Sequence, residues 1–470
     1  MELNDFLIMR HEILLITGVL LILSVDLSVS DANQKKIPAI ASFVMGVITL
    51  FGFYPVETGN LFGNMYVSDM VRLTMKNILN LAAFLIFLQS SYWLSKKEDK
   101  RIAEFYLLIL SSLIGVNYLI SSGHFIMFYL GLELTTIPIA ALAAYHQYQS
   151  KSAEAGIKLI LSSAFSSAIL LFGISVLYAS LGSLYFNQIQ VANNLTNVMG
   201  FIFFFSGLAF KISIVPFHLW TADVYEGSPT TVTAYLSVVS KGSAIFILLL
   251  TLGLIFRPLS AISQDILYTT AIITMTVGNL FAIRQKNIKR FLAFSSIAQA
   301  GFILLGLVGG TSLGITSVIY FILIYVFSNL GAFGVVIAIE QFSGKINISD
   351  YNGLYSTNPR LSLVMMLALF SLAGIPPVAG FFGKFFLFTA AAESGFYTLL
   401  LIAVLNAIIS LYYYLLVVKA MFINQNESPV AGFKSDFSTR LSLMICVVGI
   451  IATGFYSPIF EFIKEMSLGI

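Results

Sequence analysis

Three lysines, a histidine and a glutamate stand where ionisable groups are costly, and their types name the chemistry open to them. Lys211, His218 and Lys241 lie inside or beside the apolar stretch FKISIVPFHLWTADVYEGSPTTVTAYLSVVSKGSAI, residues 210–245. Glu133 lies within FYLGLELTTIPIAAL, residues 128–142, one helical turn before Pro138, and Lys384 within GIPPVAGFFGKF, residues 374–385. An ammonium at bilayer depth costs roughly 2.5–3.5 kcal/mol on the mildest insertion scales, so it marks a function or a partner. A lysine near a helix end ordinarily reaches the headgroups. Lys241 is about twelve residues from Pro229 and about as far from Arg257, roughly 18 Å at 1.5 Å per residue, too deep for that escape. Burial disfavours the charged form of a lysine and an approaching carboxylate restores it. A changing separation between Glu133 and a lysine such as Lys211 therefore loads or releases a proton.

Other chemistries lack their residues. The single cysteine, Cys446, excludes internal disulfides and any four-cysteine iron–sulfur site, and four scattered histidines offer no paired metal-ligand spacing. No nucleophile has a base beside it. Gly306, Gly309, Gly310 and Gly314 link two apolar segments without a strand before them or a Lys-Ser/Thr after them, which excludes a phosphate loop.

The elements that hold these residues follow from composition. Hydrophobic residues make up 58% of the 470 and charged ones 10%, with apolar runs of about twenty recurring throughout, as in an all-α polytopic membrane protein. The spans fall at 11–28, 37–54, 77–94, 102–120, 125–145, 156–179, 198–220, 229–256, 266–283, 288–308, 315–339, 361–388, 396–422 and 441–459, about fourteen in all. The first four are expected to contain little chemistry. The start resembles a signal peptide but lacks an A-x-A-like site and is followed at once by further spans, so it is expected to be retained. Lys158 opens the sixth span ahead of the small face of Ser162, Ser163, Ser166 and Ser167, and Lys419 is near enough to an end to snorkel. Polar stretches at 55–76, 96–101 and 344–360 are too short for a separate core, so the chain reads as a single membrane domain.

Two spans must break. Pro216 interrupts the seventh beyond Lys211, and Gly374, Pro376 and Pro377 interrupt the twelfth ahead of Lys384, leaving carbonyls that side chains or water must satisfy. Paired broken helices in comparable places point to an inverted repeat with a midplane site. With the N-terminus outside, the inner loops collect Lys35, Lys36, Lys96, Lys97, Lys100, Arg101, Lys151, Arg284, Lys286, Lys289, Arg290, Lys345, Arg360, Lys434 and Arg440, against Arg10, Arg72, Lys76, Arg257 and Lys464 outside. That bias predicts both termini outside, and the net charge of +3 reflects it rather than nucleic-acid binding.

The runs FKISIVPFHLWTADVYEGSPTTVTAYLSVVSK, RQKNIKRFLAFSSIAQAGFILLG (residues 284–306) and GIPPVAGFFGKF resemble the antiporter-like membrane subunits of respiratory complex I, the bacterial proton-pumping NADH:quinone oxidoreductase. The similarity covers essentially the whole chain. FHLWTADVYEGSP is similar to the N-type branch, where the related M and L types read more like FHTWLPDAHxEAP. The resemblance implies three N-terminal helices (about 1–100), inverted repeats of helices four to eight (101–257) and nine to thirteen (258–423) with helices seven and twelve broken, and a C-terminal helix (424–470). It further implies that Glu133, Lys158, Lys211, Lys241 and Lys384 form a charged axis, with His218 beside it, carrying protons. NADH, FMN, iron–sulfur clusters and quinone would belong to other subunits of the complex, the neighbouring antiporter-like chains among the partners, in a bacterial inner membrane. A subunit of a cation/proton antiporter and a passive scaffold with structural ion pairs are the other readings of the same residues.

Overall fold

A computed structural model describes residues 3–55, 57–96 and 101–467 of the chain. Lys97 and Lys100, counted above among the inner-loop charges, lie outside the described residues. Because hydrocarbon offers no partner to backbone N–H and C=O groups, each apolar run closes its hydrogen bonds within a helix. Among the described residues, 13 helices are long and apolar enough to cross a membrane, and the twelfth span adds a broken crossing made of Pro359–Ala373 and Ala379–Glu393. The only named strands among those residues form a short antiparallel hairpin, Gly59–Leu61 with Tyr66–Ser68, between the second and third spans.

Side-chain caps start several spans. His124 Nδ1 accepts from the Ile126 N–H at the fifth (Phe125–Ala143), and Asn287 accepts from the Lys289 and Arg290 N–H groups at the tenth (Ile288–Val308). Small residues let helices approach closely. A Cβ at Gly131 of the fifth span would lie 2.6 Å from the Leu119 nitrogen of the fourth (Ile102–Ile120), so only glycine permits that contact.

By packing, the chain divides into two compact units, residues 1–211 with 239–259, and residues 212–238 with 260–470. In the first, the fourth span packs along the fifth and the helix Lys241–Leu254 packs against the third and fourth. In the second, the ninth (Arg257–Ile283) packs along the tenth, and the eleventh (Ser312–Ser343) packs against both halves of the broken twelfth and the fourteenth (Phe437–Phe455).

The structure corrects three expectations. The third span is Met70–Lys96 rather than 77–94, because Arg72 and Lys76 are helical and buried. Lys76 is therefore not an outer-loop charge. The first four spans are not poor in chemistry either: Glu12 of the first (Arg10–Ser28) and Lys76 of the third pair at 2.6 Å with no exposure on either side chain. Opposite charges 64 residues apart announce themselves in no local pattern. Finally, Lys289 belongs to the first turn of the tenth span and is buried, where the chain had suggested a loop charge.

Candidate functional site

In the first unit, Lys211 lies in the last turn of Leu195–Ile212, 8% exposed. Its ammonium donates to Thr136 Oγ1 of the fifth span and lies 3.4 Å from Ser163 Oγ of the sixth (Ser150–Leu181). Glu133 stands three residues before Thr136, hence on the same helix face, and attracts Lys211 electrostatically. Its Oε1 is buried without a hydrogen-bond partner among the described residues. Thr136 also donates to the Leu132 carbonyl, which fixes its rotamer. The result is an ammonium held by hydroxyls with a carboxylate in Coulomb range, a site that can hold a proton and pass it on.

The seventh span breaks as expected. Leu195–Ile212 stops, Ser213 takes a left-handed backbone (φ 67), Val215–Pro216 is cis, and a second helix runs Leu219–Gly227. The freed Val215 N–H donates to Thr274 Oγ1 at 3.1 Å, and Thr221 Oγ1 donates to Ser213 Oγ at 2.8 Å. His218 stands at the N-cap position of the second helix without a side-chain cap bond, half-buried, and its Nδ1 has no partner among the described residues.

The eighth span contains a feature not expected from the chain. Thr230–Tyr235 is α-helical, residues 236–240 form a π turn, and Lys241 begins the helix Lys241–Leu254 at 2% exposure. A π turn widens the helix by a residue and displaces hydrogen bonds, which is why such turns recur at functional sites.

The second unit holds Lys384, 4% exposed. Gly374 takes φ 86, and the groups four residues on from Leu372 and Ala373 are Pro376 and Pro377, which have no N–H, so these two carbonyls lack helical donors. Gln299 Nε2 donates to Leu372 O at 2.9 Å, and Lys384 Nζ donates to Ala373 O at 3.0 Å. Ser410 Oγ lies 3.5 Å from the same ammonium and the Phe302 ring centroid 4.4 Å, so hydroxyl, carbonyl and aromatic face together solvate it. The break thus builds the lysine's binding site.

Lys158 is placed differently. Its side chain is 41% exposed and pairs with Glu154 at 2.6 Å along the same helix. A further cluster in the second unit went unread. Lys289 Nζ donates to the Ser228 carbonyl at 2.8 Å and lies 3.9 Å from Glu340, which accepts from the Thr230 hydroxyl. Beside it, Arg290 pairs with Asp223 at 2.7 Å and Glu226 at 3.1 Å. The acidic pair at 223 and 226, one turn apart ahead of Gly227-Ser228-Pro229, was the available signal, but only folding brings the basic run 284–290 against it. Among the described residues no three His, Cys, Asp or Glu side chains lie together as a metal would need.

Residues 122–410, with the Lys211, Lys241 and Lys384 sites inside them, match the family described as NADH:quinone oxidoreductase/Mrp antiporter, TM. The chain belongs to this family. Within it, the chain is 48% identical to NADH-quinone oxidoreductase subunit N of Phocaeicola vulgatus over 100% of both chains. It is 49% identical to the subunit of the same name from Azobacteroides pseudotrichonymphae over 100% of this chain and 99% of the relative. Among solved structures, a chain of respiratory complex I from Thermus thermophilus with bound aureothin superposes with a TM-score of 0.81 at 28% identity, covering 97% of this chain and 98% of that one. A chain of the Mrp complex from a Dietzia species superposes at 0.88 with 20% identity over 99% and 97%, a likeness of fold alone.

Proposed function

We propose that this chain is a proton-translocating membrane subunit of a bacterial NADH:quinone oxidoreductase, its buried lysines acting as the relay. The observation that carries the reading is the Lys211 site. An ammonium deep in the membrane is solvated by Thr136 and Ser163 and attracted by Glu133, whose buried Oε1 keeps an acceptor unused. A proton leaving Lys211 exchanges a charge for a neutral amine without moving a heavy atom far, and movement of Glu133 sets when that is favourable. Lys241 and Lys384 are the further carriers, His218 lies beside a break as a polar way-station, and Lys158 with Glu154 serves as an exposed end of the path.

Electron transfer belongs to partner chains. One cysteine cannot supply the thiolates of an iron–sulfur cluster, and no sequence here fits a flavin or nicotinamide, so no redox step runs through this subunit. The breaks support helices four to eight and nine to thirteen as repeats. In each, a left-handed residue precedes a proline of the break by three positions, Ser213 with Pro216 and Gly374 with Pro377. The charge bias of the loops supports both termini on the periplasmic side of the inner membrane.

Proton pumping and quinone reduction in the assembled complex carrying Lys241→Arg test the reading. Guanidinium keeps the charge but does not deprotonate, its pKa exceeding about 12, so a relay loses pumping. Normal pumping and turnover in an assembled Lys241→Arg complex would overturn the relay in favour of structural ion pairs.

A further inference from the structure

We propose that Glu12, Lys76 and Tyr66 form a second proton-handling site, an exit port at the end of the first unit where the first span begins, discharging the relay just described. The three close a triangle. Lys76 Nζ donates to Glu12 Oε1 at 2.6 Å and to Tyr66 Oη at 2.9 Å, and Tyr66 Oη donates to Glu12 Oε2 at 2.9 Å. Each of the three residues is fully buried. Further titratable groups face the triangle from the elements around it: Asp69 just ahead of the third span and Arg72 on it, His11 and Arg10 on the first, and Tyr118 on the fourth, which senses Glu12. Burial, reinforced by the Glu12 charge, holds the Tyr66 phenol above its ordinary range, so it stays a donor and bridges the pair.

A purely structural ion pair at full burial gains little, since apolar residues of the same volume stabilise as well or better. A polar file leading inward from the triangle gives it a use. Asn80 follows Lys76 by one turn, and Asn117 of the fourth span donates to Asn80 Oδ1 at 3.5 Å. Both amides are fully buried, yet Asn80 Nδ2 and Asn117 Oδ1 have no partner within the described residues, as does His11 Nδ1. Buried amide atoms left in this state call for water, and two of them opposed across a helix contact mark where a proton-conducting chain would run. The third and fourth spans that bear these amides pack directly against the helix beginning at Lys241.

The step is a simple exchange. Transfer from Lys76 Nζ to Glu12 Oε1 breaks one N–H bond, forms one O–H bond and leaves both groups neutral. A proton arriving along Asn117 and Asn80 then recharges Lys76 while Glu12 yields its own toward the N-terminal end. This port rests on the relay reading above, so its test includes a relay variant. In the assembled complex, Glu12→Gln with Lys76→Met removes both titrating groups without leaving a lone buried charge. Its pumping per NADH oxidised should fall to the level of Lys241→Ala, and the exchanged pair Glu12→Lys with Lys76→Glu should restore it. Pumping at the wild-type level in the neutral double variant, with Lys241→Ala impaired, overturns the port and leaves the relay standing. Wild-type pumping in both overturns port and relay together. Should the neutral double variant fail to assemble, Tyr66→Phe decides, because it takes one hydroxyl from the triangle: an altered profile of pumping against pH supports the port, and an unchanged one overturns it.

Discussion

Lys76 and Lys241 are both ammonium groups with almost no exposure, and they should respond differently to removal. Truncating Lys76 strands Glu12 as an uncompensated buried charge, at a cost of about 3–5 kcal/mol. Lys76→Ala should therefore reduce the yield of assembled complex and its melting temperature, which a thermal-shift assay on purified complex would record. An unchanged melting temperature would show that Glu12 is neutral or rehydrated in the variant. Glu133 behaves otherwise, because its Oε1 has no hydrogen bond to lose. Glu133→Gln should assemble normally and lose proton pumping, since it keeps the shape and removes the charge that attracts Lys211. Pumping at the wild-type rate in that variant would remove Glu133 from the relay.

The breaks are the elements that turn apolar helices into sites. Gly374 sits at φ 86, and a Cβ there would stand 3.0 Å from Lys384 Cδ. Gly182, at the end of the sixth span, has φ 71 with open space around it. Alanine at either position incurs the left-handed penalty, of order 1–3 kcal/mol. Only Gly374→Ala also pushes on the lysine. Both variants should therefore lower the melting temperature by similar amounts, while Gly374→Ala alone should lower pumping. Equal pumping in the two would mean that the break positions Lys384 less tightly than its hydrogen bonds to Ala373 and Ser410 imply.

For the whole molecule the outstanding question is which way it faces. With both termini outside, the connection after the fifth span is cytoplasmic and the one after the sixth is periplasmic. Gln147 and Asn193 lie on those connections and are exposed, while the only cysteine, Cys446, is buried and contributes little background. A membrane-impermeant thiol reagent applied to intact cells should label Asn193→Cys and spare Gln147→Cys. The reverse pattern would invert the topology and the direction assigned to the Glu12–Lys76 port.

Span existence, the two breaks and the isolated charges at Glu133, Lys211, Lys241 and Lys384 were legible in the chain because each is a local violation of an apolar background. A lone ammonium or a proline pair among twenty hydrophobic residues needs no partner to be noticed. What only the tertiary structure decided were the pairings. Lys76 looked like a loop charge until Glu12, 64 residues earlier, neutralised it inside the helix packing, and Lys289 until the Ser228 carbonyl and Glu340 met it. Lys158 took an exposed place beside Glu154, and residues 236–240 became a π turn ahead of Lys241 with no proline or glycine to announce it. Depth is written in hydrophobicity along the chain, but the free energy of a buried charge depends on what stands within a few ångströms of it, and only the packed helices bring those groups together.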